Sequence, residues 1–218
     1  VASGQALNAN AAGTVRLELF MPTSFPAGLP VPMVAMMMDS QNRRVNFNGQ
    51  LKGEHSIAMK RGVGSGLLDQ VEAKKLVFKA GPLSADKTIT IGNAKWQAVQ
   101  GTVTKSTTWK EGSRIHVTSN LTVPKGATLI IKQGCVIKLA PKTEMTVLGK
   151  LIVEGTKEAP VVFCPETPDA PWGGITLKGS AASAEASWAF VTGSGGNSWW
   201  FVANNVPGTH RNEQAAFF

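Results

Sequence analysis

The sequence predicts an all-β chain in two modules: a β-sandwich, then a stack of short parallel coils. Three observations carry this. A strand-turn-strand unit is written twice between residues 120 and 153. Its two copies keep an offset in the low twenties, the spacing of stacked repeats. The first hundred residues instead show alternating strands between turn signals, with no such period.

The two copies are Asn120-Leu-Thr-Val-Pro-Lys-Gly-Ala-Thr-Leu-Ile-Ile131 and Glu144-Met-Thr-Val-Leu-Gly-Lys-Leu-Ile-Val153. Leu121 and Val123 align with Met145 and Val147 at an offset of 24. Leu129 and Ile131 align with Leu151 and Val153 at an offset of 22. Successive side chains of a strand point to opposite faces. In Leu121-Thr-Val123 the apolar residues therefore face one way and the threonine the other. Cys135, Ile137 and Leu139 face in by the same rule, which puts Lys138 in water. Val161 with Phe163, and Ile175 with Leu177, continue the inward set. Gly126, Gly134, Gly149 and Gly155 stand where the chain must turn, and glycine tolerates the positive φ of such corners. One coil cannot bury its inward face alone, so coils must stack.

Residues 1–12 are small and polar and read as a flexible segment. From there to residue 104 the expected strands are Val15-Arg-Leu-Glu-Leu19, Met33-Val-Ala-Met-Met-Met38, Val45-Asn-Phe47, His55-Ser-Ile-Ala-Met59 and Lys87-Thr-Ile-Thr-Ile91. Asp39-Ser-Gln-Asn42 is a turn and Gly81-Pro-Leu-Ser a loop. Gly62-Val-Gly-Ser-Gly66 reads as a flexible loop, and Leu67 to Lys75 as one or two helical turns. A polar Thr/Ser/Lys stretch, Gln100 to Ser106, is the expected hinge, and Trp109 the aromatic that plugs the first coil.

The run from Ser119 to Leu139 resembles the entry to a right-handed parallel β-helix. Gly149-Lys-Leu-Ile-Val-Glu-Gly-Thr-Lys-Glu-Ala-Pro-Val-Val-Phe163 and Trp172-Gly-Gly-Ile-Thr-Leu177 are similar to the same family. The likeness covers residues 107–218. It implies a fold and leaves function open, since this fold hosts pectin-type lyases, glycoside hydrolases, adhesins and surface scaffolds. Residues 13–104 resemble immunoglobulin-like modules of secreted bacterial proteins, without the Cys…Trp…Cys signature of antibody domains.

Net charge is +8 over 218 residues. A basic surface of this kind attracts an acidic polymer, such as an anionic polysaccharide or a cell envelope. No dense basic run points to nucleic acid. The longest apolar stretch, Val31 to Met38, is too short to span a membrane. The expected location is secreted or cell surface. Two cysteines are too few for a disulfide framework, and strand parity puts Cys135 inward and Cys164 outward, as free thiols.

His55, His116 and His210 have no metal-ligand spacing, and no metal or cofactor is expected. Gly193-Ser-Gly-Gly196 lacks the Lys-Ser/Thr of a phosphate loop and reads as a coil turn, and Gly173-Gly174 as a tight corner. The carboxylates of the second half are Glu111, Glu144, Glu154, Glu158, Glu166, Asp169, Glu185 and Glu213. Glu144 stands about one coil before Asp169, yet no spacing builds a catalytic pair, so no catalytic residue is assigned. Trp199, Trp200 and Phe201 are the surface candidates for carbohydrate or partner contact. On one strand they cannot all face inward, so at least one ring is left for stacking on a sugar. The leading expectation is an extracellular surface, adhesion or carbohydrate-contact protein without catalysis in this chain. Two alternatives stand beside it: the front of a larger polysaccharide-degrading enzyme, and a self-assembling structural subunit. The end at Phe217 and Phe218 suggests further coils or another subunit covering the last edge.

Overall fold

The computed structural model describes residues 15–196. They form two compact units that meet between Gly92 and Asn93, and no helix occurs among them. Strand Gln97–Thr102 already pairs with the coils, so the second unit begins before the polar stretch Gln100 to Ser106.

The first unit has eight strands: β1 (Arg16–Phe20), β2 (Ser24–Pro26), β3 (Val31–Met38), β4 (Gly49–Leu51), β5 (Ile57–Lys60), β6 (Val63–Leu68), β7 (Lys74–Ala80) and β8 (Leu83–Gly92). One antiparallel sheet runs β1-β3-β6-β5-β4, and a second runs β2-β8-β7. β1 packs against β8, and β4 against β7, to make the sandwich. Leu17, Met33, Met37, Met59, Phe78 and Ile89 are among its buried core.

Three expectations fail here. Gly62 to Gly66 is not a loop: Val63 to Leu68 is the central strand β6. Its glycines are there for space. A Cβ on Gly64 would lie 2.9 Å from the Ala58 carbonyl oxygen and 3.0 Å from Met59 Cγ. Glycine in a strand interior can mark such a close approach. Leu67 to Lys75 is not helical either; it ends β6 and begins β7. Val45 to Phe47 forms no strand, and only Arg44 bridges back to Met38.

The second unit adds β9 (Gln97–Thr102), β10 (Thr107–Trp109), β11 (Arg114–Val123), β12 (Thr128–Lys132), β13 (Val136–Leu139), β14 (Glu144–Val147), β15 (Lys150–Glu154), β16 (Val161–Pro165), β17 (Gly174–Leu177), β18 (Ser183–Ser187) and β19 (Ala189–Val191). Every pairing is parallel. Three ladders result. The first runs β9, the start of β11, β13, β16 and β19. The second runs the ends of β9 and β11, then β14 and β17. The third runs β10, β12, β15 and β18. The aligned pairs of the two sequence copies are register partners: Leu121 with Met145, Val123 with Val147, Leu129 with Leu151, Ile131 with Val153.

The interior is one cluster. Leu121, Val123, Leu129, Ile131, Met145 and Val147 lie in it, with Leu151, Val153, Val161, Phe163 and Ile175, while Leu177 packs at its margin. Trp109 is buried in the first coil. Deeper in the stack Trp172 lies nearly parallel to Phe163, centroids 6.5 Å apart, and its Nε1 donates to the Thr192 carbonyl at 2.8 Å.

The corner glycines divide by cause. Gly126 and Gly134 have φ of +81° and +69°, as the turn argument requires. Gly149 does not; a Cβ there would lie 2.3 Å from the Ala127 carbonyl oxygen and 2.4 Å from that of Pro124. Both obstacles are backbone of the preceding coil and cannot swing aside. Gly149→Ala is therefore expected to destabilise the coil unit by about 1–3 kcal/mol, as overpacking does. Gly126→Ala should lose less, through backbone strain without a clash, since its Cβ meets nothing within 4 Å. Denaturant midpoints that rank the pair the other way would refute this.

Candidate functional site

Parallel pairing puts one residue of each coil at the same outward position. On the first ladder that column reads Ala98, His116, Lys138 and Cys164. Glu166 follows just beyond β16, and its backbone N–H donates to the Leu139 carbonyl at 2.8 Å. Its Oε1 lies 3.1 Å from His116 Nε2 and 3.9 Å from Lys138 Nζ. His116 Nε2 makes no hydrogen bond there. The Lys138 ammonium sits 4.6 Å from the centre of the Trp96 ring, a cation–π contact. A carboxylate, an imidazole, an ammonium and an indole thus meet on the outside of four adjacent coils.

Lys138 faces out, as its parity requires, yet its side chain is only 17% accessible, so it does not stand free in water. Cys164 also faces out and is nevertheless buried, because neighbouring side chains close over this ladder; Val136 and Val162 are buried on the same side. Burial drives its thiol up to about 12, against a small downward pull from Lys138. Cys135 lies in the interior, and burial raises its thiol too, with Arg114 opposing. Neither cysteine is in a disulfide.

The other carboxylates are dispersed. Glu154 pairs with Lys132, Glu185 with Lys150 at 2.6 Å, and Glu111 accepts from Gln133 at 2.7 Å. Glu144 is buried in register with Gly174, so it does not form a column with Asp169. Among the described residues no group of His, Cys, Asp and Glu is placed to hold a metal. Gly195 and Gly196 donate to the Gly173 and Trp172 carbonyls at 2.8 and 2.7 Å, which makes this glycine run a coil turn. Trp199, Trp200 and Phe201 lie outside the described residues.

His116 and Lys138 were visible in the sequence as single residues. Their meeting with Glu166 and Trp96 was not, because it depends on coils of unequal length. His116 to Lys138 is 22 residues, and Lys138 to Cys164 is 26.

Residues 101–197 match the family model of a pectate-lyase like beta helix domain. This stretch folds as a parallel β-helix and is similar to that family. No curated protein and no solved structure matches the chain. The match begins within β9 and carries the three ladders of the β-helix, including His116, Lys138 and Glu166. It does not reach the first unit, whose immunoglobulin likeness stays a resemblance in strand order.

Proposed function

We propose that the β-helix is a carbohydrate-contact module of a secreted or cell-surface protein, docking an acidic polysaccharide without cleaving it. The observation that carries this is the outward group of Trp96, His116, Lys138 and Glu166 on adjacent coils. A ligand carboxylate can take the place of Glu166 against Lys138, and the indole offers an apolar surface for a sugar ring. Coils repeat every roughly 4.8 Å, so the face is itself periodic and suits a periodic polymer. The net charge of +8 favours an anionic one. Cleavage by paired carboxylates needs two acids flanking one bond. Glu154, Glu166 and Glu185 are instead each turned to a lysine or histidine. Trp199, Trp200 and Phe201 stay candidates for a second stacking surface.

The pectate-lyase-like match favours one other reading, that this chain is the front of a larger polysaccharide-degrading enzyme. Affinity electrophoresis separates the two. Migration should be retarded in gels containing a polyuronate and not in gels containing a neutral glucan, with retardation falling as salt rises. Lys138→Ala and Trp96→Ala should each abolish most of it at unchanged circular dichroism. Undiminished retardation of both variants would remove this face from the proposal. Release of unsaturated uronate ends would establish the enzyme reading instead.

A further inference from the structure

The first coil breaks the inward pattern of those that follow. Ile115, Ile137 and Phe163 share one inward column, and the first coil places Gln97 there. In the column of Leu129 and Leu151 it places Thr107. In that of Leu121, Met145 and Ile175 it places Gly101, where a Cβ would meet nothing within 4 Å. Half of the aliphatic layer is thus replaced by an amide, a hydroxyl and a gap, while Val99, Val103 and Trp109 keep the rest apolar. The result is a cavity of about 850 Å³ at the amino-terminal mouth of the β-helix. Val99, Trp109 and Leu121 line it from the apolar side. Eight of its fourteen lining residues carry a hydroxyl or a carboxamide, and only Lys110 carries a charge.

We propose that this mouth binds a neutral sugar unit, such as the end of a glycan chain. Its size falls within the range of small-molecule sites, roughly 300–1,000 Å³. An apolar floor suits the C–H face of a sugar ring, and an uncharged rim of hydroxyl and amide groups suits its hydroxyls. A charged ligand would lose its hydration with one lysine as counter-charge. A simple end cap would fill the column above Leu121, whereas Gly101 leaves it open. The site is independent of the lateral face described above.

Saturation-transfer NMR on the full chain tests it, with methyl glycosides of glucose, galactose, mannose and galacturonate as probes. At least one neutral glycoside should receive saturation. Gln97→Ile with Thr107→Leu restores the aliphatic columns and should weaken that binding at least tenfold. Gln97→Ala keeps the coil open and removes only the amide, so it should weaken binding even if the filled variant fails to fold. The proposal is overturned if only the galacturonate binds, if no glycoside binds, or if Gln97→Ala binds like the parent chain.

Discussion

Leu151→Ala is expected to lower the stability of the β-helix by roughly 2–5 kcal/mol, the range for truncating a buried leucine. Leu151 is fully buried, with Leu129 one coil before it and Ala184 one coil after. Ala184 is already small, so the void cannot be filled from that side without drawing two coils together. The adjacent Ile152 faces outward and is only half-buried, between Ile130 and Glu185. Ile152→Ala should therefore cost far less, on the order of 1 kcal/mol or below, because little water-excluded volume is lost. All six tryptophans lie at residue 96 or later. Trp96, Trp109, Trp172 and Trp188 lie in the β-helix unit, so tryptophan emission reports on it even where the sandwich unfolds separately. Urea curves read by tryptophan emission should show a large midpoint shift for Leu151→Ala and a small one for Ile152→Ala. Equal shifts would mean that the inward face is assigned backwards.

The coils were legible because parallel stacking writes the same alternation at a fixed offset. Leu121 with Met145 and Leu129 with Leu151 could be paired by counting. Beyond them the offsets grow: Met145 to Ile175 is 30 residues and Lys150 to Ser183 is 33. Insertions at the corners lengthen the coil without disturbing the ladders, so counting loses the register there. That is why Glu144 was set beside Asp169 when its partner is Gly174. It is also why Glu166 could not be brought to His116 and Lys138. In the sandwich the error had another source. Glycines were read as flexibility in Gly62 to Gly66, although Gly64 is held close to the backbone and side chains of β5. Local composition cannot tell a glycine that turns the chain from one that lets another strand approach. Parity likewise decided the direction of Lys138 and Cys164 but not their exposure, which depends on what lies over the outer face.

Cys164 gives the second large effect, as a dependence on alkaline pH. Its thiol is buried, Sγ donates to the Ile137 carbonyl at 3.7 Å, and burial raises its pKa from 9.0 to about 12. Below the unfolded value both states hold the proton, and the full stability is present. Above it the unfolded chain releases a proton that the folded chain keeps. Stability is then lost as pH rises toward the folded value, by up to about 1.4 kcal/mol per pH unit. Across the whole interval the loss approaches about 4 kcal/mol, an upper figure for one group. Cys135 acts in the same direction, so the share of Cys164 must be isolated by difference. Cys164→Ala removes the ionising group and leaves the others in place. Between pH 9 and 11 the stability of the parent chain should fall more steeply than that of Cys164→Ala, measured by urea unfolding with tryptophan emission. A thiol reagent at pH 8 should find neither cysteine reactive in the folded chain and two in the unfolded chain, since the attacking species is the thiolate and both thiols are buried. Parallel pH profiles for parent and variant would show that Cys164 ionises alike in both states, and a fast thiol in the folded chain would show that the outer face of the first ladder is open to solvent.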